Sequence, residues 1–414
     1  MNIGFVSTRF SGTDGVSLES RKWAEVLERN GHRTFWFCGL SDHPAECSFV
    51  IPEAHFDHPD IAAISRAIWN CDSFPAGISD EISRHQGLLH GALDKFCDHF
   101  AIDLLIPQNA ITIPMNLPLG LAVTDFIEAS GIPTIAHHHD FYWERERFAG
   151  KAVQPYLDRA FPPQVPGIVH AVINSAAARE LKNRFKINAT LVPNVMDFEK
   201  AAPNLRRSRA EMRTLLGLEE GDRLILQPTR VIPRKGIEHA IDLVYRLGEN
   251  RNKLLISHEA GDEGLDYRNQ LETLAQEKGV DLRFVSDRIS GTPAAGTIDR
   301  FSLDDLYPLA DFVTFPSLYE GFGNALLEAI YFRKPVLVNR YSVFKEDIEG
   351  FGLDLVMMDG VVTDEVVEQV RKLLDEPESF HAAAAKNVEI AKAQFGYRTL
   401  ERRLGEMVET ALRE

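Results

Sequence analysis

The first half of the chain alternates short apolar runs with stretches in which apolar residues recur every three or four positions. Runs rich in β-branched and aromatic side chains predict strands at 2–7, 33–38, 102–107, 134–138, 171–174 and 190–192. Helical periodicity predicts helices at 16–29, stopped by Gly31, at 117–129 and at 176–185. Residues 42–90 break the rhythm with scattered His, Pro and Cys, and read as an insertion or a set of short helices. Around 193–203 the pattern stops, and a polar, Arg-rich stretch follows at 206–213. It then restarts, with strands at 224–228, 253–257, 282–285, 313–316 and from 335, and helices at 237–247, 267–278, 303–309 and 324–332. An amphipathic run at 397–412 predicts a terminal helix.

Strands alternating with helices imply a mostly parallel α/β sheet covered on both faces. A chain of 414 residues suits two such domains of roughly 200 residues each. The restart divides it into an N-terminal domain over 1–199, a C-terminal domain over 200–395 and a closing helix over 396–414.

Composition narrows the partners. The net charge of −16 argues against nucleic acid, which recruits basic surfaces, and weakens stable docking on an anionic membrane. No apolar run approaches the roughly 20 residues that span a bilayer. Met1 leads into a strand-like pattern with no basic and apolar leader, so no secretory signal is expected. Cys38, Cys47, Cys71 and Cys97 have irregular spacing and no C-x-x-C, and read as reduced thiols of a cytoplasmic protein.

The richest segment is 313–339, VTFPSLYEGFGNALLEAIYFRKPVLVN. A buried strand should end at Pro316, followed by a loop carrying Glu320 and a helix from Asn324. Gly321 and Gly323 remove side chains where the helix begins, leaving backbone N–H groups for a ligand. Glu328 lies one turn on, on a face that can point back to the same crevice. An ionised carboxylate accepts two hydrogen bonds from a diol, so the pattern suits a sugar joined to a phosphate. Upstream, TRVIPRKG at 229–236 puts Arg230 and Lys235 at the carboxyl end of a strand. They read as a diphosphate clamp or as two solvated surface charges.

YEGFGNALLEA resembles the E-x7-E signature of the retaining glycosyltransferases of family 4. These have the GT-B fold: two facing Rossmann-like domains, an interdomain cleft, and a C-terminal helix returning to the N-terminal domain. The resemblance extends in family order through the N-terminal glycine loop, the histidine strand end, VPNVMDF at 192–198, and R-x4-K at Arg230 and Lys235. It implies that Arg230 and Lys235 bind the donor diphosphate and assist its departure. Glu328 would meet the ribose hydroxyls, and Glu320 the hydroxyls of the transferred sugar, with Gly321, Phe322, Gly323 and Asn324 beside it. No covalent nucleophile is implied. Gly12 and Gly15, in SGTDGVSLE, form either a plain turn or, by family position, a close approach to the acceptor and the donor phosphate.

The run IAHHHDFYWERERF at 135–148 invites a zinc reading, but neighbouring strand residues point to opposite faces and no supporting Cys or H-E-x-x-H is present. A buried histidine cluster is the plainer reading. The resemblance implies a histidine near the donor sugar, with His139 the best match and His138 the runner-up. The register of His137, His138 and His139 stays open. Tyr142, Trp143, Glu144 and Arg145 either wall an acceptor pocket or pack the loop, and Asn109 and Asn116 follow a strand toward the same edge. The stretch 286–301 either borders the nucleotide base or is a surface loop.

The expected activity is hexosyl transfer, with retention, from GDP-mannose or UDP-glucose to a hydroxyl of a small polar or saccharide acceptor. With no Asp-x-Asp in the chain, neither a metal nor any other cofactor is expected. A nucleotide-sugar 2-epimerase and a non-catalytic sugar-nucleotide-binding protein are the alternatives.

Overall fold

A computed structural model describes residues 1–12, 14–259, 266–289 and 300–413. The chain divides into two units, one made of Met1–Asn194 together with the residues from Arg398 on, the other of Val195–Tyr397. Each is built on a single sheet of parallel strands with helices between them.

In the first unit the strands are β1 (Asn2–Val6), β2 (Arg33–Cys38), β3 (Ser48–Val50), β4 (Leu104–Pro107), β5 (Thr134–His138), β6 (Ile168–Val172) and β7 (Ala189–Leu191). Their order is β3-β2-β1-β4-β5-β6-β7, with every pairing parallel. Ile3, Phe5 and Val6 of β1 and Leu104, Leu105 and Ile106 of β4 are fully buried. Helices cover both faces of a parallel sheet, which is why these strands read as unbroken apolar runs rather than alternating ones.

Two stretches differ from the sequence expectation. Residues 42–90 do hold short helical pieces, Ala45–Cys47, Pro52–Ala54 and Pro59–Ile68, but also an edge strand, β3, and most of a 23-residue helix, Ile78–Phe100. That helix buries Ile82, His85, Leu89, Leu93 and Phe96 at regular helical spacing. Leu89, Leu93 and Phe96 share an apolar cluster with Leu119, Val123 and Phe126 of the helix Leu117–Ser130. Its glycines and histidines masked the period. Strand β6 starts three residues earlier than 171–174 and ends at Val172, because Asn174 leaves the sheet to cap the next helix, accepting from Ala177 N at 2.8 Å. The terminal helix Tyr397–Ala411 belongs, from Arg398, to this first unit and buries Leu400, Leu404, Met407, Val408 and Ala411 along one stripe.

The second unit holds β8 (Arg223–Gln227), β9 (Asn252–Ile256), β10 (Asp281–Phe284), β11 (Phe312–Phe315), β12 (Val336–Asn339) and β13 (Val356–Met358), ordered β10-β9-β8-β11-β12-β13 and all parallel. Strand β13 and the helices Asp364–Asp375 and His381–Phe395 were not anticipated.

Both sheets reverse direction once, between β1 and β4 and between β8 and β11. A doubly wound sheet leaves a ligand crevice at the carboxyl ends of its strands where the order reverses. The loops that follow β1, β4, β8 and β11 carry Gly12 and Gly15, Asn109, Arg230 and Lys235, and Glu320. These candidates thus lie at the switch point of each unit, while His139 follows the next strand, β5. Among the described residues, no helix is long and apolar enough to cross a membrane.

Candidate functional site

In the second unit the site is anchored by Gln227, the fully buried last residue of β8. Its Nε2 donates to Thr229 Oγ1 at 3.2 Å and to the Lys235 carbonyl at 3.1 Å, while its Oε1 accepts from Thr314 Oγ1 of β11 at 3.3 Å. One buried amide therefore ties the Arg230–Lys235 loop to the strand that ends at the glutamate loop. Gly236, at φ +60°, is needed where the chain passes β11, since a Cβ would lie 2.5 Å from the Pro316 carbonyl.

Lys235 and Glu320 meet directly. The Lys235 ammonium donates to Glu320 Oε1, and Arg234 Nη1 stands 3.0 Å from Glu320 Oε2 and 3.0 Å from the Tyr319 carbonyl. Burial by itself would raise the Glu320 carboxyl, but the Lys235 and Arg234 cations outweigh it and hold the pKa below the usual value. Burial is also the first cause that lowers Lys235, with Glu320 opposing it. Arg230 is exposed. His258, at the end of β9, is pushed down to about 4, by burial first and then by Lys235 and Arg230, so it is neutral near pH 7. Arg234 escaped the sequence reading because a cation beside a motif lysine looks like surface charge.

Past Glu320 the backbone is constrained. Gly323 sits at φ +124°, and a Cβ there would lie 2.4 Å from the Tyr341 hydroxyl and 3.1 Å from the Phe315 ring. Only glycine fits. Tyr341 donates to the Phe322 carbonyl from behind the loop. Phe322 turns its ring into the core, edge-on to Phe395 at 5.4 Å. Asn324 opens the helix Asn324–Tyr331, directly after Gly321, Phe322 and Gly323. Glu328, one turn along, accepts from the Tyr307 hydroxyl at 2.7 Å. Tyr307 is fully buried and stacks on Phe332 at 5.0 Å, so it fixes the aim of the Glu328 carboxylate. It lies on the helix Leu303–Leu309, too far along the chain for the motif to reveal it. Of the stretch 286–301, residues 290–299 lie outside the described residues.

In the first unit the three histidines separate by strand alternation. His137 Nδ1 and His139 Nε2 both meet Gln108 Oε1, at 2.8 and 3.0 Å, and His137 also stacks on Trp23 at 3.9 Å. His138 faces the other way, between Thr112 Oγ1 and His170 Nδ1, the latter at 2.8 Å. His137 and His138 are fully buried, whereas His139 stays partly exposed. Both rings thus share the Gln108 side-chain amide, and which ring nitrogen carries the proton follows from which amide atom faces them. Burial pushes its pKa down to about 4 against the pull of Asp140 and Asp14, so the ring is neutral near pH 7. Among the described residues, no group of three His, Cys, Asp or Glu is placed to hold a metal ion.

Other first-unit candidates have structural duties. Asn109, at φ +58°, accepts from His139 N at 2.8 Å and donates to Asp140, so its amide positions His139. Asn116 caps the helix Leu117–Ser130 and donates to the Glu53 and Ala54 carbonyls. Tyr142 packs against the apolar cluster around Ile64 and Leu117, and Trp143 stacks on Phe141 at 4.4 Å. Gly12 has φ +74°, and its N–H donates to Asp42 at 2.7 Å. Gly15 begins the helix Gly15–Arg29, but Asp14 already accepts from Val16 N and Ser17 N at 3.1 and 3.2 Å. A carboxylate therefore caps the helix start beside Gly15.

Residues 208–389 match the family model described as glycosyl transferases group 1. The mannosylglucosylglycerate synthase of Thermotoga maritima is 32% identical, across 97% of this chain and 98% of its own length. The chain belongs to the group 1 glycosyltransferases. A second mannosylglucosylglycerate synthase, from Petrotoga mobilis, is 30% identical across 95% of this chain and 98% of its own. Among solved glycosyltransferases, one from Rickettsia africae superposes with a TM-score of 0.71 at 11% identity, covering 100% of this chain and 99% of that one. The sucrose-phosphate synthase of Thermosynechococcus elongatus gives 0.68 at 15% identity, with coverage of 100% and 99%. At such identities the structures establish the shared two-domain, Rossmann-like GT-B fold of this glycosyltransferase and nothing finer.

Proposed function

We propose that this glycosyltransferase moves a mannosyl group from GDP-mannose to a hydroxyl of glucosylglycerate, with retention of configuration, in the cytoplasm. The observation that carries this reading is the end-to-end match to two mannosylglucosylglycerate synthases. The family model covers residues 208–389 alone, whereas the match to those two relatives also takes in the first unit, where the acceptor is expected.

The chemistry follows from the residues. Arg230 and Lys235 neutralise the diphosphate as its bond to the anomeric carbon breaks. The acceptor hydroxyl attacks that carbon on the face the diphosphate leaves, and its proton passes to the departing phosphate oxygen. Glu320 accepts from hydroxyls of the moving sugar, and Glu328, aimed by Tyr307, from the ribose diol. The neutral His139 offers Nδ1 to a donor-sugar hydroxyl. Two cations take the role of a divalent ion, so none is required.

The test is incubation of the protein with GDP-mannose and glucosylglycerate in excess chelator. Equal amounts of GDP and an α-mannosylated product are expected, the anomeric form read by NMR. UDP-glucose is the second donor to run. Epimerised donor formed without acceptor would replace this reading with a 2-epimerase. Silence with both donors would sink it. Activity lost on chelation and restored by one divalent ion would remove the metal-free step.

A further inference from the structure

The mechanism above leaves one charged group at the site without a task. Glu320 is 7% exposed, and each of its oxygens is taken by a different cation: Oε1 by Lys235, and Oε2 by Arg234 at 3.0 Å. In the proposed reaction Lys235 must serve the donor diphosphate. An ammonium has three donors but one charge, and a diphosphate competes for it with Glu320. A buried carboxylate deprived of its counter-charge takes up a proton and turns from acceptor to donor. Glu320 needs a partner that stays behind.

Arg234 is built for that. The same Nη1 that meets Glu320 also donates to the Tyr319 carbonyl at 3.0 Å, and the Arg234 carbonyl accepts from Leu318 N at 2.8 Å. Three bonds thus fasten Arg234 to the stretch 318–320, and a guanidinium keeps its charge throughout the working pH range. The other groups facing Glu320 are Ser317 of its own loop and the Tyr341 hydroxyl, with Arg230 and His258 beside Lys235. None of these replaces a fixed cation on Oε2. We propose that Arg234 is a positioning residue for transfer: it keeps Glu320 seated toward the donor sugar when Lys235 turns from that carboxylate to the diphosphate. The role in transfer rests on the function proposed above, whereas the pairing with Glu320 does not.

The experiment compares wild type with Arg234→Gln, which keeps a donor for the Tyr319 carbonyl but lacks the charge, and Arg234→Lys, which restores the charge without the fork. Side-chain 13C-carboxyl NMR, with Glu320 assigned through Glu320→Gln, follows its titration in the absence of substrate. Arg234→Gln should raise the Glu320 midpoint by about one pH unit, and Arg234→Lys should return most of it. In turnover, the acid limb of kcat, which reports the donor-bound enzyme, should move up by a similar amount. At neutral pH, kcat in Arg234→Gln should fall roughly tenfold to a hundredfold while the affinity for bare GDP holds. An unmoved Glu320 midpoint in the folded Gln variant would overturn the pairing. A moved midpoint with an unmoved acid limb would overturn the role in transfer. Wild-type inactivity with every donor would remove that role together with the proposed function, while the substrate-free titration would still decide the pairing.

Discussion

Four imidazoles at the carboxyl end of β5 and on β6 should make the first unit acid-sensitive well above the pH at which carboxylates titrate. His137, His138, His139 and His170 are all held neutral, chiefly by burial. In the unfolded chain each binds a proton near the ordinary histidine value, so below that value the unfolded state holds more protons. Stability is therefore fully present above pH 6.5 and is lost as the pH falls toward the folded-state values. For His170, 5% exposed and pushed down to about 4, the difference amounts to about 3 kcal/mol across that window. Together four such groups allow a slope of up to about 5 kcal/mol per pH unit. A domain's total stability is about 5–15 kcal/mol, so loss of structure is expected between about pH 6 and 4. All four tryptophans, Trp23, Trp36, Trp69 and Trp143, lie in this unit, so intrinsic fluorescence reports its unfolding selectively. Urea titrations at pH 7.5, 6.5 and 5.5 should show a falling midpoint, and His170→Gln should remove about a quarter of the slope. Equal midpoints at 7.5 and 5.5 would refute the reasoning.

Arg230→Ala and Lys235→Ala should each lower turnover at saturating donor by roughly 10²–10³-fold with the fold retained, as checked by steady-state kinetics alongside thermal melts. Near-normal turnover in both would remove the diphosphate assignment. Glu328→Gln should weaken binding of bare nucleotide, whereas Glu320→Gln should spare the nucleotide and blur discrimination among sugars. Calorimetric titration separates the two, and equal losses for bare nucleotide would erase the distinction.

The alternation of apolar runs and helical periods was enough to indicate two parallel α/β sheets, because buried parallel strands have no polar face to disguise them. It failed where a helix carried a polar residue on its core side and glycines elsewhere along it, as with His85, Gly87 and Gly91 of Ile78–Phe100. At the candidate site, Lys235 and Glu320 were legible as separate motifs, and the structure adds their direct contact. Side chains that act through others left no local signal: Gln227 behind the cation loop, Tyr307 behind Glu328, Tyr341 behind Gly323. Strand alternation did foresee that three adjacent histidines would part company. What it could not supply was depth, and it is depth that leaves only His139 partly exposed.

The helix that closes the first unit from Arg398 onward has a consequence for biogenesis. The second unit is one continuous stretch, Val195–Tyr397, and can assemble its whole core as soon as that stretch has left the ribosome. The first unit is made earlier yet finishes later. It must wait through the synthesis of the entire second unit for the apolar stripe of Leu400, Leu404 and Met407. During that interval its own apolar surface lies uncovered, the period in which a nascent chain is most exposed to aggregation and most dependent on chaperones.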